Sequence, residues 1–424
     1  MENLKIFART IEKDAEELVY SLSKHEAFEN SQVRIMPDAH LGKGAVIGFT
    51  APVGELINPS VVGVDIGCMI DTYITDIKLS PNDFPLIEHR IRKEIPFGIN
   101  INNSCQVDYK EFYEFMSKGL KRARSLWPEA IDPFACADEE GISDLCSKIG
   151  MDEGKFYKSL GSVGGGNHFI EIGETPEGYC AFTIHCGSRN FGVKVCKYWE
   201  TKATKEKYNK DLLKDGIALL KKNIKDKRKL PEEIENLKKK LESSAPPVGY
   251  LKGDNLVGYI TDMAIAQLYS EFNHLVISKK IINILKCKVT ERVASIHNYI
   301  DYQDHIIRKG AIRSYEGEKM VIPFNMRDGL AICVGKSNPD WNYSAPHGCG
   351  RLLSRTKAKQ ALSVNEFKKQ MTGIYSTSVN QFTLDEAPDA YKPYEEILEL
   401  IEPTCEVLYL IKPLINLKSS DGTE

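Results

Sequence analysis

His347 lies in NYSAPHGCGRLLSRTKAK, with Gly348 and Gly350 after it and Arg351, Ser354, Arg355 and Lys357 close behind. An imidazole can attack phosphorus, bare backbone lets a substrate approach closely, and the cations can hold negative charge. Four other segments carry donor groups: VGVDIGC with Asp65 and Cys68, GGGNHFIEI with His168, TIHCGSR with His185, and IHNY with His297. One carboxylate, one thiol and three imidazoles suit borderline-soft divalent ions such as Mn²⁺, Zn²⁺ or Co²⁺ better than Mg²⁺. Two such ions about 3.5–4 Å apart would clamp a phosphoryl group from both sides.

Spacing supports a shared centre. Asp65 and Cys68 flank Gly67, which permits a tight turn that points both side chains at one place. Cysteine ligates only as the thiolate, which a nearby divalent ion favours and which can bridge two ions. Gly161, Gly164, Gly165 and Gly166 remove bulk ahead of Asn167 and His168. If the segment is extended, Asn167, Phe169 and Glu171 share one face while His168 and Ile170 share the other. His168 would then serve a metal, and Asn167 and Glu171 a nucleotide. No GK followed by Ser or Thr comes next, so this is not a Walker loop, and the dinucleotide-binding fingerprint is absent as well. His185 and His297 each end an alternating apolar run, where a strand delivers a side chain to the mouth of a site. A lone histidine in such a place is more often a satisfied core residue. Several such segments in one chain point instead to convergence. His25, His89, His274 and His305 stand in charged or helical surroundings and read as structural.

The elements that must position these groups follow from periodicity and turn residues. Residues 31–75 alternate β-branched runs with glycine and proline and predict several short strands. Residues 80–155 read as mainly helical, with an amphipathic helix in EFYEFMSKGLKRARSLW. A second strand-and-turn block runs from Leu160 to Gly192, and a third from Val289 to Val334. Between them, one long helical pattern spans Leu256 to Leu285 and bears Asp262, Gln267, Asn273 and His274. Residues 194–243 predict two charged helical segments broken near Pro231, a solvated excursion at about 200–245. The tail from Tyr391 to Leu417 reads as helix, closing in a candidate strand at PLINLK. There is no repeat, low-complexity tract or linker. Because the donors are scattered over residues 38–347, their segments must converge in one core. The expected class is α+β, with mixed β-sheets flanked by helices in a single large catalytic domain over residues 1–424.

Bulk properties narrow the function classes. With 56 Lys+Arg against 59 Asp+Glu, the net charge of -3 argues against a general nucleic-acid coat protein and leaves room for a local basic groove. The N-terminus has no apolar signal segment, and lysines break the apolar runs short of a membrane span, so a cytoplasmic protein is expected. The 11 cysteines are odd in number, irregularly spaced and without a CxxC pair, which reads as reduced thiols. Cys105, Cys136, Cys146, Cys180, Cys287, Cys333 and Cys405 are expected in the interior.

The ordered series MPDAHLGKG, GVDIGC, GGGNHFIEI, HCGSR, HNY with IRKGAI, APHGCGRLLSRTKAK and DEAPDAYK resembles the RtcB family of GTP-dependent RNA ligases over nearly the whole chain. The resemblance implies an RtcB-like catalytic domain that seals RNA 3′-phosphate or 2′,3′-cyclic phosphate ends to 5′-hydroxyl ends, in RNA repair or tRNA splicing. It implies GTP and two Mn²⁺ as cofactors, and leaves room for an activating helper protein. His347 is similar to the family's guanylylated histidine; Asp65, Cys68, His168, His185 and His297 match its two-manganese site, with Cys68 bridging. Asn167, Glu171, Asn298, Asn325, Gly348, Gly350 and Lys418 are carried over as nucleotide-binding positions, Lys418 against guanine. Arg189, Arg351 and Arg355 are expected to hold RNA phosphates. One segment departs: where the family has IPGSMG, this chain has IPFNMRDG, with Phe324, Asn325 and Arg327. Met69 for glycine and Cys349 for alanine are smaller changes. A divergent branch is expected, with two other classes open: a nucleotidyltransferase that caps 3′-phosphate ends without sealing them, and a catalytically silent RNA-end-binding protein.

Overall fold

In a computed structural model, residues 3–207, 210–223, 230–243, 249–420 and 422 are described. Among them the strands form a five-stranded sheet in the order β1 (Leu4–Ile6), β2 (Val33–His40), β3 (Ile47–Pro52), β9 (Ile306–Lys309) and β8 (Asn298–Ile300). A seven-stranded sheet runs β11 (Lys319–Pro323), β12 (Leu330–Gly335), β14 (Cys405–Leu417), β5 (Phe169–Glu174), β6 (Cys180–Cys186), β4 (Met69–Thr75) and β7 (Val289–Ile296). The pair β10 (Ala311–Arg313) and β13 (Ser344–Pro346) completes the set. β1 and β2 are parallel and the other pairs antiparallel, so the class is α+β with mixed sheets.

The register explains why scattered motifs meet. Phe169 and Ile70 both stand opposite His185, and Met69 stands opposite Ile296. Cys68, His168 and His297 each lie one residue beyond a strand end, so with His185 they gather at one end of β5, β6, β4 and β7. Leu417 pairs with Ile170, which brings Lys418 to the same end. His347 follows β13 directly, and the Gly310 N–H donates to the His297 carbonyl at 2.6 Å, tying the small pair to the donor end.

The helix Asp254–Leu285 is apolar on nearly all sides because it is packed on nearly all sides. It contributes Met263, Tyr269 and Phe272 to the largest core cluster and Ile277, Ile281 and Leu285 to the one under β5 and β6. The amphipathic helix Tyr109–Leu126 starts on Asp108, which accepts from the Glu111 N–H, and buries Phe112, Met116 and Leu120. No helix among the described residues is long and apolar enough to cross a membrane.

Two expectations are corrected. The tail is not mainly helix: helix covers only Tyr394–Leu400, and β14 takes Cys405–Leu417. Pro403 ends the helix, and in CEVLYLI exposed Glu406, Leu408 and Leu410 alternate with Val407, Tyr409 and Ile411, a period of two. Among the cysteines placed inside, Cys136 is exposed and Cys105 only half-buried, because both lie in loops; every cysteine is unpaired. In the charged stretch, Pro231 is the second residue of helix Leu230–Ser243, while the break before it, 224–229, lies outside the described residues.

Candidate metal and nucleotide site

Three imidazoles converge through the same ring nitrogen. Cys68 Sγ lies 3.3 Å from His185 Nε2 and 3.4 Å from His168 Nε2. His185 Nε2 lies 3.4 Å from His297 Nε2, and Asp65 Oδ2 lies 2.8 Å from His168 Nε2. The donors therefore form a chain, Asp65–His168–Cys68–His185–His297, whose two halves share Cys68. The donor atoms of Cys68, His168 and His185 all fall within 4.8 Å of one another. The surroundings leave no space for extra side chains: a Cβ on Gly187 would sit 2.0 Å from Asp65 Oδ1, and one on Gly164 would sit 2.0 Å from His168 Nδ1. Gly67 has φ +69°, the left-handed turn that brings Asp65 and Cys68 together.

The electrostatics of the cluster call for a cation. Burial, then neighbouring imidazoles, holds His185 and His297 well below the usual histidine range. Burial and the Asp65 carboxylate push the Cys68 thiol well up. Left to themselves these groups stay uncharged; a divalent ion would supply the missing positive charge and stabilise the thiolate. The Nδ1 atoms of His168, His185 and His297 are buried without a hydrogen-bond partner among the described residues. The donor set fits a borderline-soft metal.

His347 stands beside this cluster, its ring centroid 4.8 Å from that of His297. Its Nδ1 is 2.6 Å from Asp38 Oδ2, and its backbone N–H donates to the same oxygen at 3.2 Å. Asp38 is fully buried in β2. A buried carboxylate makes Nδ1 the protonated nitrogen and leaves the Nε2 lone pair free for attack. Sequence reasoning missed Asp38, although it sits in the MPDAH motif with His40. The signal was an acid and a histidine at the end of an apolar strand. Gly350 has φ +72°, and a Cβ there would lie 2.0 Å from the Asp38 carbonyl oxygen, so no other residue fits between nucleophile loop and β2. His40 hydrogen-bonds the Asp38 carbonyl through Nδ1 at 2.9 Å, and burial pushes its pKa down to about 4.

From His347 a cavity of about 440 Å³ extends between Asn167, Glu171, Asn325, Arg351, Glu386 and Lys418. Asn167, Phe169 and Glu171 line it together while Ile170 and Ile172 enter the core, the alternation expected of an extended segment. Burial pushes the Glu171 carboxyl up to about 8, against the opposing effects of Asn416 and Lys418. Asn416 Nδ2 donates to it at 2.9 Å. Glu386 is the opposite case: burial would raise it, but Lys418, Arg355 and Arg351 outweigh burial and hold it well below the usual carboxylate range. Lys418 Nζ lies 2.9 Å from Glu386, Arg351 3.0 Å and Arg355 3.4 Å, and the Tyr391 hydroxyl donates to Glu386 at 2.6 Å. Lys418 also donates to the Asn167 carbonyl at 3.1 Å. Glu386, in the DEAPDAYK motif, is a second residue that sequence reasoning left without a role.

Some candidates sit elsewhere or act indirectly. Asn298 does not line the cavity: it donates to the Asp65 carbonyl at 3.2 Å and accepts from the Gly310 N–H at 3.0 Å, bracing the donor loops. Arg189 donates to Ser162 Oγ at 3.1 Å and the Gly98 carbonyl at 2.6 Å, so it holds the glycine-rich turn in place. Asn325 accepts from the Arg327 and Asp328 N–H groups and donates to Asp328, closing its own turn at the cavity wall. Phe324 packs on Tyr394 with ring centroids 4.9 Å apart and is almost fully buried, and it forms part of the cavity wall. Gly348 and Gly350 both line the cavity.

Comparison with known proteins agrees with this geometry. The family model described as tRNA-splicing ligase RtcB matches residues 22–419. The RNA-splicing ligase RtcB of Escherichia coli strain K12 is 26% identical over 432 residues, covering 96% of this chain and 95% of that protein. The tRNA-splicing ligase RtcB of Archaeoglobus fulgidus is 26% identical over 455 residues, covering 92% and 88%. The RNA-splicing ligase RtcB homolog 1 of Entamoeba histolytica is 25% identical over 440 residues, covering 90% and 80%.

Proposed function

We propose, from the premise that this chain belongs to the RtcB family and is an RNA ligase, that it joins RNA 3′-phosphate or 2′,3′-cyclic phosphate ends to 5′-hydroxyl ends through a GMP–histidine intermediate. The observation that carries this reading is His347, its Nδ1 held by Asp38 and its ring beside the donor cluster. The Nε2 lone pair attacks the α-phosphorus of GTP. A P–N bond forms as the bond to the bridging oxygen breaks, and pyrophosphate leaves with the electron pair. Asp38 accepts the Nδ1–H hydrogen bond and stabilises the positive charge that develops on the ring. An oxygen of the RNA 3′-phosphate then displaces the imidazole, returning the lone pair to Nε2. The 5′-hydroxyl attacks the activated 3′-phosphate, GMP leaves, and a proton is released. A cyclic end must first be hydrolysed to the 3′-monoester to offer that oxygen.

Asp65, Cys68, His168, His185 and His297 would hold two divalent ions of the manganese type, which supply Lewis-acid polarisation of phosphoryl oxygens. Glu171 and Lys418 meet the base, Asn167 lies between base and cluster, and Gly348 and Gly350 allow close approach at His347. Arg351 and Arg355, held by Glu386, face the cavity as candidate phosphate partners. The whole chain acts as one catalytic domain, and helices Lys210–Asn223 and Leu230–Ser243 of the charged stretch give the cavity no lining residue. RNA repair or tRNA splicing in the cytoplasm is the setting this chemistry suits.

The test is mass spectrometry of the protein after incubation with GTP and Mn²⁺, comparing wild type with His347→Ala, followed by addition of 3′-phosphorylated and 5′-hydroxyl RNA. A GMP adduct in the wild type alone, then a joined product, is expected. An adduct that persists in the variant refutes the nucleophile. A capped RNA end that never joins identifies a nucleotidyltransferase instead.

A further inference from the structure

A second cavity, of about 500 Å³, shares no lining residue with the first and has no part in the chemistry above. It lies between helix Tyr109–Leu126, the long helix and the ends of β7 and β11. Its walls are apolar and aromatic where Phe115, Leu126, Leu268 and Met320 face it, which suits a flat ring more than an extended polar chain.

Its polar groups are arranged at two levels. On the inner wall the Tyr302 hydroxyl donates to Gln267 Oε1 at 3.0 Å, and Gln267 Nε2 donates to Glu271 Oε1 at 3.2 Å. The relay leaves the rest of the Glu271 carboxyl for a ligand. At the rim stand Lys118 and Arg122, one helical turn apart and both exposed. Arg122 makes no side-chain hydrogen bond or ion pair among the described residues, and Lys118 reaches only Glu114, at 3.9 Å. The other two rim cations are engaged: Arg313 lies 2.7 Å from Asp301 and 2.9 Å from Glu318, and Lys319 is paired with Glu291. An inner carboxyl and amide, flat apolar walls and two cations outside, Lys118 held only by Glu114 at 3.9 Å and Arg122 only by longer-range attraction to Glu271, describe a ligand with a polar ring edge at one end and an anion at the other.

We propose that this cavity binds a single nucleotide unit, its phosphate between Lys118 and Arg122 and its base edge against Gln267 and Glu271. Arg122 offers a forked donor matched to a phosphate, and Lys118 adds a point charge. The walls enclose the base without reading it, so the edge facing Glu271 and Gln267 sets any preference among bases. The inner wall also abuts the donor loops: Gln267 packs so closely on Gly67 that a Cβ there would lie 2.8 Å from the Gln267 Cα, and Ile296 immediately precedes His297. The nucleotide comes either from the free pool or from a strand of bound RNA, and the two sources are separable by experiment.

Calorimetric titration of AMP, CMP, GMP and UMP into the full chain, as wild type, Arg122→Glu and Glu271→Gln, is the first arm. At least one nucleotide is expected to bind the wild type and to weaken by about tenfold or more in Arg122→Glu, the loss of a charge-assisted contact. GMP labelling of His347 should be unchanged in that variant. In the second arm, 3′-phosphorylated RNA carrying 4-thiouridine is photo-crosslinked and the peptides mapped. Crosslinks within 115–126 identify a nucleotide of the strand; Arg122-dependent binding of mononucleotides without such crosslinks identifies a free one. Isotherms that are the same in all three proteins, together with no crosslink to this helix, overturn the proposal. Loss of His347 labelling in the wild type would refute the ligase mechanism and leave this site standing.

Discussion

The two ends of the first cavity solve opposite electrostatic problems. At the donor end, Asp65 Oδ2, Cys68 Sγ and three Nε2 atoms point at one another, and burial drives the sulfur and two of the rings toward neutrality. That end lacks positive charge, which a bound cation would supply. At the base end, Lys418, Arg351 and Arg355 close around Glu386, so positive charge is already in place and matched. Two carboxyls face Lys418 from different sides, and their environments push them apart: Glu171 rises to about 8 while Glu386 falls well below the usual range. The difference teaches that the donor end is the one an added ion would complete, whereas the Glu386 end is already compensated by its own side chains and can be tuned without being destroyed.

That contrast breaks first if the donor end tolerates loss of its shared ligand. Cys68→Ala should remove metal from both halves of the donor chain and lower ligation by at least about a thousandfold, as when a member of a mutually dependent set is lost. His297→Ala should deplete one half only. Metal content by elemental analysis distinguishes them, and equal metal retention in both variants would sink the description of two halves sharing Cys68.

Next in size is the link between nucleophile and carboxylate. Asp38→Asn keeps the shape but no longer favours the Nδ1–H tautomer, and GMP labelling of His347 should slow by roughly 10³–10⁴-fold. Thermal stability should change far less than activity. Labelling at the wild-type rate would show that Asp38 does not orient the ring.

At the base end the effects should be graded. Glu386→Gln leaves Lys418 and Arg351 facing a neutral group, while Arg355 keeps Asp385 at 3.0 Å, and we expect KM for GTP to rise by about tenfold or more, with a smaller change in kcat, because a buried network has lost its anion. A fall in kcat at constant KM would place Glu386 with the chemistry and not with binding.

The last test addresses Glu171 through stability and not through activity. Its folded pKa of about 8 exceeds the ordinary value of 4.5, so the folded protein holds a proton that the unfolded chain gives up. The stabilisation is complete below pH 4.5 and is lost as pH rises toward about 8, at roughly 1.4 kcal/mol per pH unit. Glu171→Gln lacks this titration, so its advantage in Tm over wild type should grow from pH 5 to about 8 and then level off. Parallel Tm profiles would mean that Glu171 is ionised in the fold.

Much of the donor end was legible in the chain because the donors sit in short motifs beside glycine or a small polar residue, and residue type states the chemistry. Gly67, Gly164 and Gly187 mark places where the backbone must come close, and the alternation around His168 predicted which side chains would face the cavity. Asn298 was carried over as a nucleotide position from the family resemblance; the structure adds that its amide bridges the Asp65 and Gly310 backbones, a contact no local pattern reveals. The tail misled for a different reason: its charged and apolar residues mimic a helix until Pro403, after which exposure alternates with a period of two.

What the chain determined by itself is therefore the inventory: a candidate histidine nucleophile, a soft donor set and the strands that present them, since side-chain chemistry and short-range periodicity are local properties. Tertiary structure alone decided which groups hold the nucleophile and balance its cavity. Asp38 meets His347 across 309 positions, and Glu386 meets Lys418 across 32, through strand register and burial. Those contacts set tautomer and charge because an electrostatic interaction depends on distance and dielectric in space, and sequence separation specifies neither.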